Sequence, residues 1–221
     1  LVADYFRLDD DLENIYFCID TDERIHSAIE EYRGLRIIRQ DPWECLISFI
    51  CSSASNIPRI SRNLESISSE FGKPLQMDNY ERRTFPTPDD LAGVKENKLE
   101  KLKLGYRSAY VISTARMVAE GKIDLNALRE RDYEEALNSL IILDGVGDKV
   151  ANCVLLFSLG KTEAFPVDVW VQRVLRENYL AGKSMSLVSA RRWAMEFFGP
   201  YAGYANQYLF HNRRLRGKRK M

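Results

Sequence analysis

Two side chains of opposite charge, Lys149 and Asp168, fall in one stretch of the chain, and each sits where a helix should begin. In the first turn of a helix the amide dipoles disfavour a cation, and an uncharged amine is a nucleophile that can bond to an electrophilic carbon. A carboxylate held nearby would stabilise an oxocarbenium-like centre as it forms, which is what cleavage of a glycosidic bond demands. Taken singly, neither residue is diagnostic. Lys149 also reads as a solvated or phosphate-touching cation, and Asp168 as a simple helix cap.

The elements that must position this pair are visible as changes of periodicity. Tyr133, Ala136, Leu137, Leu140 and Ile141 follow helical spacing, and the pattern stops at the sequence LDGVGD, residues 143–148. It resumes with Val150, Ala151, Val154 and Leu155, so the segment predicts helix, Gly-x-Gly hairpin, helix. Two glycines, Gly145 and Gly147, allow positive φ and close approach of another backbone in this turn. The free amides of Gly145, Val146 and Gly147 would then point outward at a helix start, where a phosphate can bind without basic side chains. A plain αα-hairpin, with glycines chosen only for the turn, is the other reading. Asp168 ends AFPVD and precedes the apolar helix 169–178, where a cap would engage helix amides and leave one oxygen facing the hairpin helix.

Elsewhere helical spacing dominates, and the fold predicted is all-α. Helices are expected over 9–18 and 22–33, followed by an extended link at 35–38. Asp41-Pro42-Trp43-Glu44 is a helix start with a capping box. Trp43, Leu46, Ile47 and Ile50 line its inner face. The small polar run at 52–56 makes a ligand-facing turn before a helix from Pro58 to Gly72, with Ile60, Leu64, Ile67 and Phe71 inward. Residues 73–90, with three prolines, are expected to be irregular, and further helices should cover 89–93, 96–103 and 106–120. Three regions result: N-terminal helices and link at 1–40, a helical lobe at 41–133, and a hairpin lobe at 134–221. The chain begins with Leu1, which suggests a fragment.

Composition removes several classes. Thirty-two basic and 32 acidic residues cancel, so any nucleic-acid contact must be local. The basic run at 213–220 could attract phosphates or act as a targeting signal, or be a solvated helix end. Cys18, Cys45, Cys51 and Cys153 lack metal-ligand spacing and suit reduced core thiols. No apolar run is long enough for a membrane helix, and the acidic start does not suit a signal peptide. The expected setting is intracellular, in the cytoplasm or nucleoid of a prokaryote or the nucleus of a eukaryote.

The block LDGVGDKVANCVLLFSLGKTEAFPVDVW resembles the helix-hairpin-helix DNA glycosylase superfamily. QDPWECLISFICSS at 40–53, LGYRSAYV at 104–111, GPYAGYANQYLF at 199–210 and DYFRLD at 4–9 resemble its 8-oxoguanine branch. The resemblance implies a two-lobed fold and double-stranded DNA with a damaged base as partner. No cofactor is implied, and the protein would act as a monomer. Lys149 would attack the sugar C1′ and Asp168 would stabilise the sugar cation, making the enzyme both glycosylase and AP lyase. By the same resemblance Cys153, Asn206 and Phe210 form the base pocket, with Asn206 where the family commonly has a base-reading Gln. Asn56, Arg59, Tyr106 and Arg107 join the hairpin in binding DNA, Tyr106 filling the vacated stack and Arg59 and Arg107 meeting the estranged cytosine. No metal is required, although a structural cation on the hairpin carbonyls is compatible with the family.

This chain departs from the family at Ala54, where Asn is usual, and at Trp170, where a phosphate-touching His is expected. The family's N-terminal β-rich domain is expected to be absent. Two other readings stand beside this one: a relative acting on oxidised pyrimidines or on adenine opposite a lesion, and a non-catalytic hairpin module that only grips DNA. The first commonly carries a C-terminal four-cysteine cluster, whereas no cysteine follows Cys153 here.

Overall fold

A computed structural model describes residues 1–218, with side chains through Arg214. Thirteen α-helices account for most of the described chain. The first three are α1 (Val2–Tyr5), α2 (Leu12–Ile19) and α3 (Glu23–Glu31), and residues 35–38 then run extended. Next come α4 (Pro42–Ser52), α5 (Ile57–Phe71), strands β1 (Pro74–Met77) and β2 (Tyr80–Arg83), α6 (Pro88–Ala92), α7 (Glu96–Lys101) and α8 (Arg107–Ala119). The chain continues through α9 (Tyr133–Ile141), α10 (Asp148–Phe157), α11 (Val169–Asn178), α12 (Leu187–Phe198) and α13 (Ala202–Lys218).

Side-chain caps explain most of these starts. Asp22, Asn56, Asp132, Asp168 and Ser186 each accept a hydrogen bond from a first-turn amide, a contribution of about 1 kcal/mol per cap. Asp11 caps α2, which therefore starts three residues later than its apolar pattern suggests. Asp41 accepts the Glu44 amide, and that is the half of the expected capping box that forms. The return bond would bring the Glu44 carboxylate toward the ionised Asp41, and like charges oppose it.

The segment 73–90 corrects the expectation of an irregular connection. Pro74–Met77 and Tyr80–Arg83 pair antiparallel, with Leu75 opposite Arg82 and Met77 opposite Tyr80. All eight strand residues are exposed, so no buried face imprints a period of two on the sequence. Asp78 supplies the left-handed turn residue at φ 51°.

The chain divides into two compact units, and the division falls inside α10. One unit comprises Leu1–Gln40 and the chain from Asn152 onward. Its central helix is α13, packed by α2, α3, α11 and α12. Two α13 phenols pin the N-terminal segment: Tyr204 donates to the Asp10 carboxylate, and Tyr208 donates to Leu35 O at 3.3 Å. Burial raises both phenol pKa values, so the hydroxyls stay protonated as donors. Arg7, fully buried in a left-handed conformation, donates to Leu156 O at 3.3 Å and pairs with Asp10.

The second unit, Asp41–Ala151, is built on α8, which packs against α4, α6 and α7, while α4 also packs on α5. Cys45, Leu46, Ile47, Ile50, Leu91, Leu99, Val111 and Ala115 are buried in its interior. Trp43 is buried with its indole N–H satisfied by Pro86 O at 2.8 Å. No helix among the described residues is long and apolar enough to cross a membrane.

Candidate active site

The hairpin forms where the periodicity breaks. Val146 is buried and anchors it, and its amide donates to Leu143 O at 3.1 Å. Gly145 takes φ 78°, and a Cβ there would lie 2.5 Å from the Tyr110 ring of α8. Gly147 uses neither freedom: its φ is not positive and nothing lies within 4 Å of where its Cβ would stand. The close neighbour is thus an aromatic side chain at Gly145 rather than a backbone, and Gly147 faces open space. Asp144 accepts from Ser113 Oγ at 2.6 Å, tying the hairpin to α8.

Lys149 occupies the first turn of α10 and is half-buried. Its Nζ donates to Ser52 Oγ at 3.2 Å and lies 5.0 Å from the centroid of the Phe49 ring. It forms no ion pair among the described residues. Contact with Ser52 and Phe49 comes from the C-terminal turn of α4, far away in sequence, and the polar run at 52–56 gave no sign of its target. The Cys51 thiol, next to Ser52 in sequence, is pushed up to about 12 by burial, with Arg107 opposing the shift, which disfavours its thiolate. Cys153, one turn beyond Lys149 on α10, is buried.

In the other unit Asp168 caps α11. Its Oδ1 accepts from the amides of Trp170 at 2.9 Å and Val171 at 2.8 Å. One carboxylate oxygen therefore carries the cap, and the residue is half-buried. Ala164, Phe165, Pro166 and Val167 before it are buried, which fixes the chain that delivers it. Trp170 beside it is 59% exposed. On α13, Phe210 is half-buried and Asn206 is only 3% exposed. Asn206 Nδ2 donates to Pro166 O at 2.9 Å, and its Oδ1 accepts from Gln207 Nε2 at 2.9 Å.

The remaining predicted contacts gather around residues 53–59 and 103–107. Asn56 caps α5 by accepting the Arg59 amide at 3.0 Å, and Arg59 donates to Lys103 O at 3.3 Å. Tyr106 is 54% exposed, its ring 4.5 Å from the Arg107 guanidinium. Arg107 is placed otherwise than as a free reader of a base: it is 3% exposed and donates to the carbonyls of Ser53, Ala54 and Leu104. Carbonyls left over at the end of α4 need donors, and the buried guanidinium supplies them. Ala54, where the family often has Asn, sits at φ 46°. The Leu143 carbonyl of the hairpin already accepts the Val146 amide, and the described residues hold no cluster of His, Cys, Asp or Glu suited to a metal ion. Of the basic run at 213–220, Arg213 pairs with Glu177 at 3.2 Å, and the side chains from Leu215 lie outside the described residues.

Comparison with known proteins places this arrangement. Residues 47–196 match the HhH-GPD superfamily of base excision DNA repair proteins, and residues 1–46 match the N-terminal domain of 8-oxoguanine DNA glycosylase. Those N-terminal residues carry α1–α3, the extended link and the start of α4 here. The chain is 34% identical to a probable N-glycosylase/DNA lyase of Methanothermobacter thermautotrophicus, over 96% of this chain and 73% of the relative. It is 39% identical to the N-glycosylase/DNA lyase of Arabidopsis thaliana, over 86% of this chain and 54% of that protein. The 8-oxoguanine glycosylase/lyase of Clostridium acetobutylicum, solved with double-stranded DNA containing cytosine opposite 8-oxoguanine, superposes with TM-score 0.92 and 34% identity, covering 98% of this chain and 74% of that one.

Proposed function

Because the chain belongs to the HhH-GPD superfamily of base excision DNA repair proteins, we propose that it removes 8-oxoguanine from duplex DNA and then cuts the strand at the emptied sugar. The observation that carries this reading is Lys149, an amine in the first turn of the hairpin helix with a hydroxyl and an aromatic face as neighbours and no ion pair among the described residues. A lysine kept only as a surface cation has no need of that setting. The names of the relatives support the same activity, and so does Asp168 at the cap of α11.

In the proposed reaction the base is extruded, at a cost of a few kcal/mol, and Lys149 Nζ bonds to C1′ as the bond from C1′ to the base nitrogen breaks. The electron pair leaves with the base, which takes up a proton. Asp168, anionic and fixed by two helix amides, stabilises the positive charge that builds on the sugar. Opening of the sugar ring leaves a Schiff base between Lys149 and C1′, and loss of a C2′ proton then expels the 3′ phosphate. The amides of the hairpin hold the DNA backbone, which explains DNA binding by a chain of zero formal charge. Tyr106 fills the vacated stack, and the enzyme works as a monomer on genomic DNA inside the cell.

Borohydride trapping on a duplex with 8-oxoguanine opposite cytosine tests this directly. The wild-type protein is expected to give a covalent adduct, and Lys149→Gln to bind the duplex without one. Binding by the wild type with no adduct would replace the enzyme with a non-catalytic hairpin module.

A further inference from the structure

Asn206 holds the position where a base-reading Gln is expected, yet its side chain is buried and bonded within the fold. Only an –NH2 group can face a carbonyl, so the Pro166 oxygen dictates the orientation of this amide and turns its Oδ1 toward Gln207. Both ends of the Asn206 amide are thereby engaged, and the residue is 3% exposed. Turning it toward a ligand would leave the buried Pro166 carbonyl without its donor, which a folded interior resists.

Gln207 is differently placed. Along α13 the residues Tyr204, Ala205, Asn206, Tyr208 and Leu209 are buried, while Gln207, Phe210 and His211 are half-buried. His211 lies edge-on to Tyr32 at 4.6 Å, and Asn212, also half-buried, donates to Glu31 at 3.4 Å, which accounts for both. Gln207 and Phe210 remain, one helical turn apart on one strip of the helix. Gln207 uses a single amide hydrogen, donated to Asn206, and its Oε1 has no hydrogen-bond partner among the described residues. An acceptor and a donor side by side is the complement of a purine edge.

We infer that Gln207, not Asn206, presents its amide to the extruded base, and that Asn206 is a positioning residue that holds the turn carrying Asp168. The inference rests on the proposed base excision. Pro166 lies two residues before Asp168, and Val167 between them is buried, so the carbonyl held by Asn206 is a short, stiff lever on the carboxylate. A Gln at position 206 adds a methylene to a packed site and cannot keep the same bond without displacing that turn.

Two duplexes separate the two roles: one with 8-oxoguanine opposite cytosine, the other with a preformed abasic site, which has no base to read. Under single-turnover conditions Gln207→Ala is expected to lower base release by about tenfold, the scale of a lost hydrogen bond, and to leave cleavage at the abasic site within about twofold of wild type. Asn206→Gln is expected to lower the maximal rate on both duplexes by about tenfold with DNA affinity unchanged, and to lower Tm by about 2–10 °C, as an added methylene in a packed site should. If Asn206→Gln does not fold, Asn206→Ser serves instead, since its shorter hydroxyl loses the reach to Pro166 and should show the same split between rate and affinity. Base release that is unaffected in Gln207→Ala, or increased in Asn206→Gln, would overturn the assignment. A wild-type protein inactive on both duplexes would bring down the base-excision reading and this inference with it.

Discussion

The Lys149 amine donates to the Ser52 hydroxyl at 3.2 Å, and that hydroxyl donates in turn to Phe49 O at 2.7 Å. Since the serine proton is committed to the carbonyl, the lone pair is what faces the lysine, and Ser52 can only accept from it. The amine is thus held by one of its hydrogens over the end of α4. Ser52→Ala removes this tether. Losing a hydrogen bond of about 1 kcal/mol should slow adduct formation by about fivefold in single-turnover borohydride trapping, with DNA affinity unchanged. An unchanged trapping rate would remove Ser52 from the machinery.

Asp168 combines a cap and a charge, and two substitutions separate them. Asn caps a helix about as well as Asp, so Asp168→Asn should keep Tm within about 2 °C while base release slows by orders of magnitude. Asp168→Ala loses the cap as well, at about 1 kcal/mol, or about 2–4 °C in Tm for a domain of this size. The check is thermal denaturation beside single-turnover base release. Equal rates in wild type and Asp168→Asn would reduce the residue to its cap.

The sequence made the hairpin legible because a change of period and two glycines leave a local trace, and Lys149 and the Asp168 cap came with it. What stayed hidden depended on contacts between distant residues. Ser52 meets Lys149 across nearly a hundred positions, and no local pattern encodes that meeting. The resemblance gives Arg107 as a contact of the estranged cytosine, and no local pattern says that three carbonyls will draw it inside. Asn206 sits on a helix whose spacing does not say that Pro166 O will claim its amide. The exposed hairpin at 74–83 has no buried face, so period-two patterning had nothing to act on.

His26 offers a pH signature confined to the surface. Its Nδ1 lies 2.8 Å from Asp20 Oδ2, and its pKa is raised above 6.5, chiefly by the hydrogen bond to Asp20 and then by its charge. A raised folded-state pKa means that the folded protein holds the proton more tightly than the unfolded chain. The stabilisation is therefore fully present below 6.5 and is lost as pH rises through the folded value. The His26 imidazole signal in NMR should titrate above 6.5 in the wild type, and Asp20→Asn should bring it back toward 6.5. A midpoint insensitive to Asp20→Asn would refute the pairing.

The two hairpin glycines should fail in different ways. At Gly145 any side chain meets both the left-handed backbone, φ 78°, and the Tyr110 ring 2.5 Å from the added Cβ. Gly145→Ala should therefore destabilise the fold by about 1–3 kcal/mol, lowering Tm by about 2–10 °C. At Gly147 neither obstacle exists, so Gly147→Ala should change stability by no more than about 0.5 kcal/mol. Its methyl would instead stand on the exposed amide face where the proposed reading puts a phosphate, and duplex affinity should drop by about tenfold or more. Fluorescence anisotropy with a labelled duplex, measured beside thermal denaturation, checks both halves. If Gly147→Ala binds DNA as tightly as wild type, the open space at Gly147 is not where the backbone sits, and the phosphate site of the hairpin must be sought elsewhere.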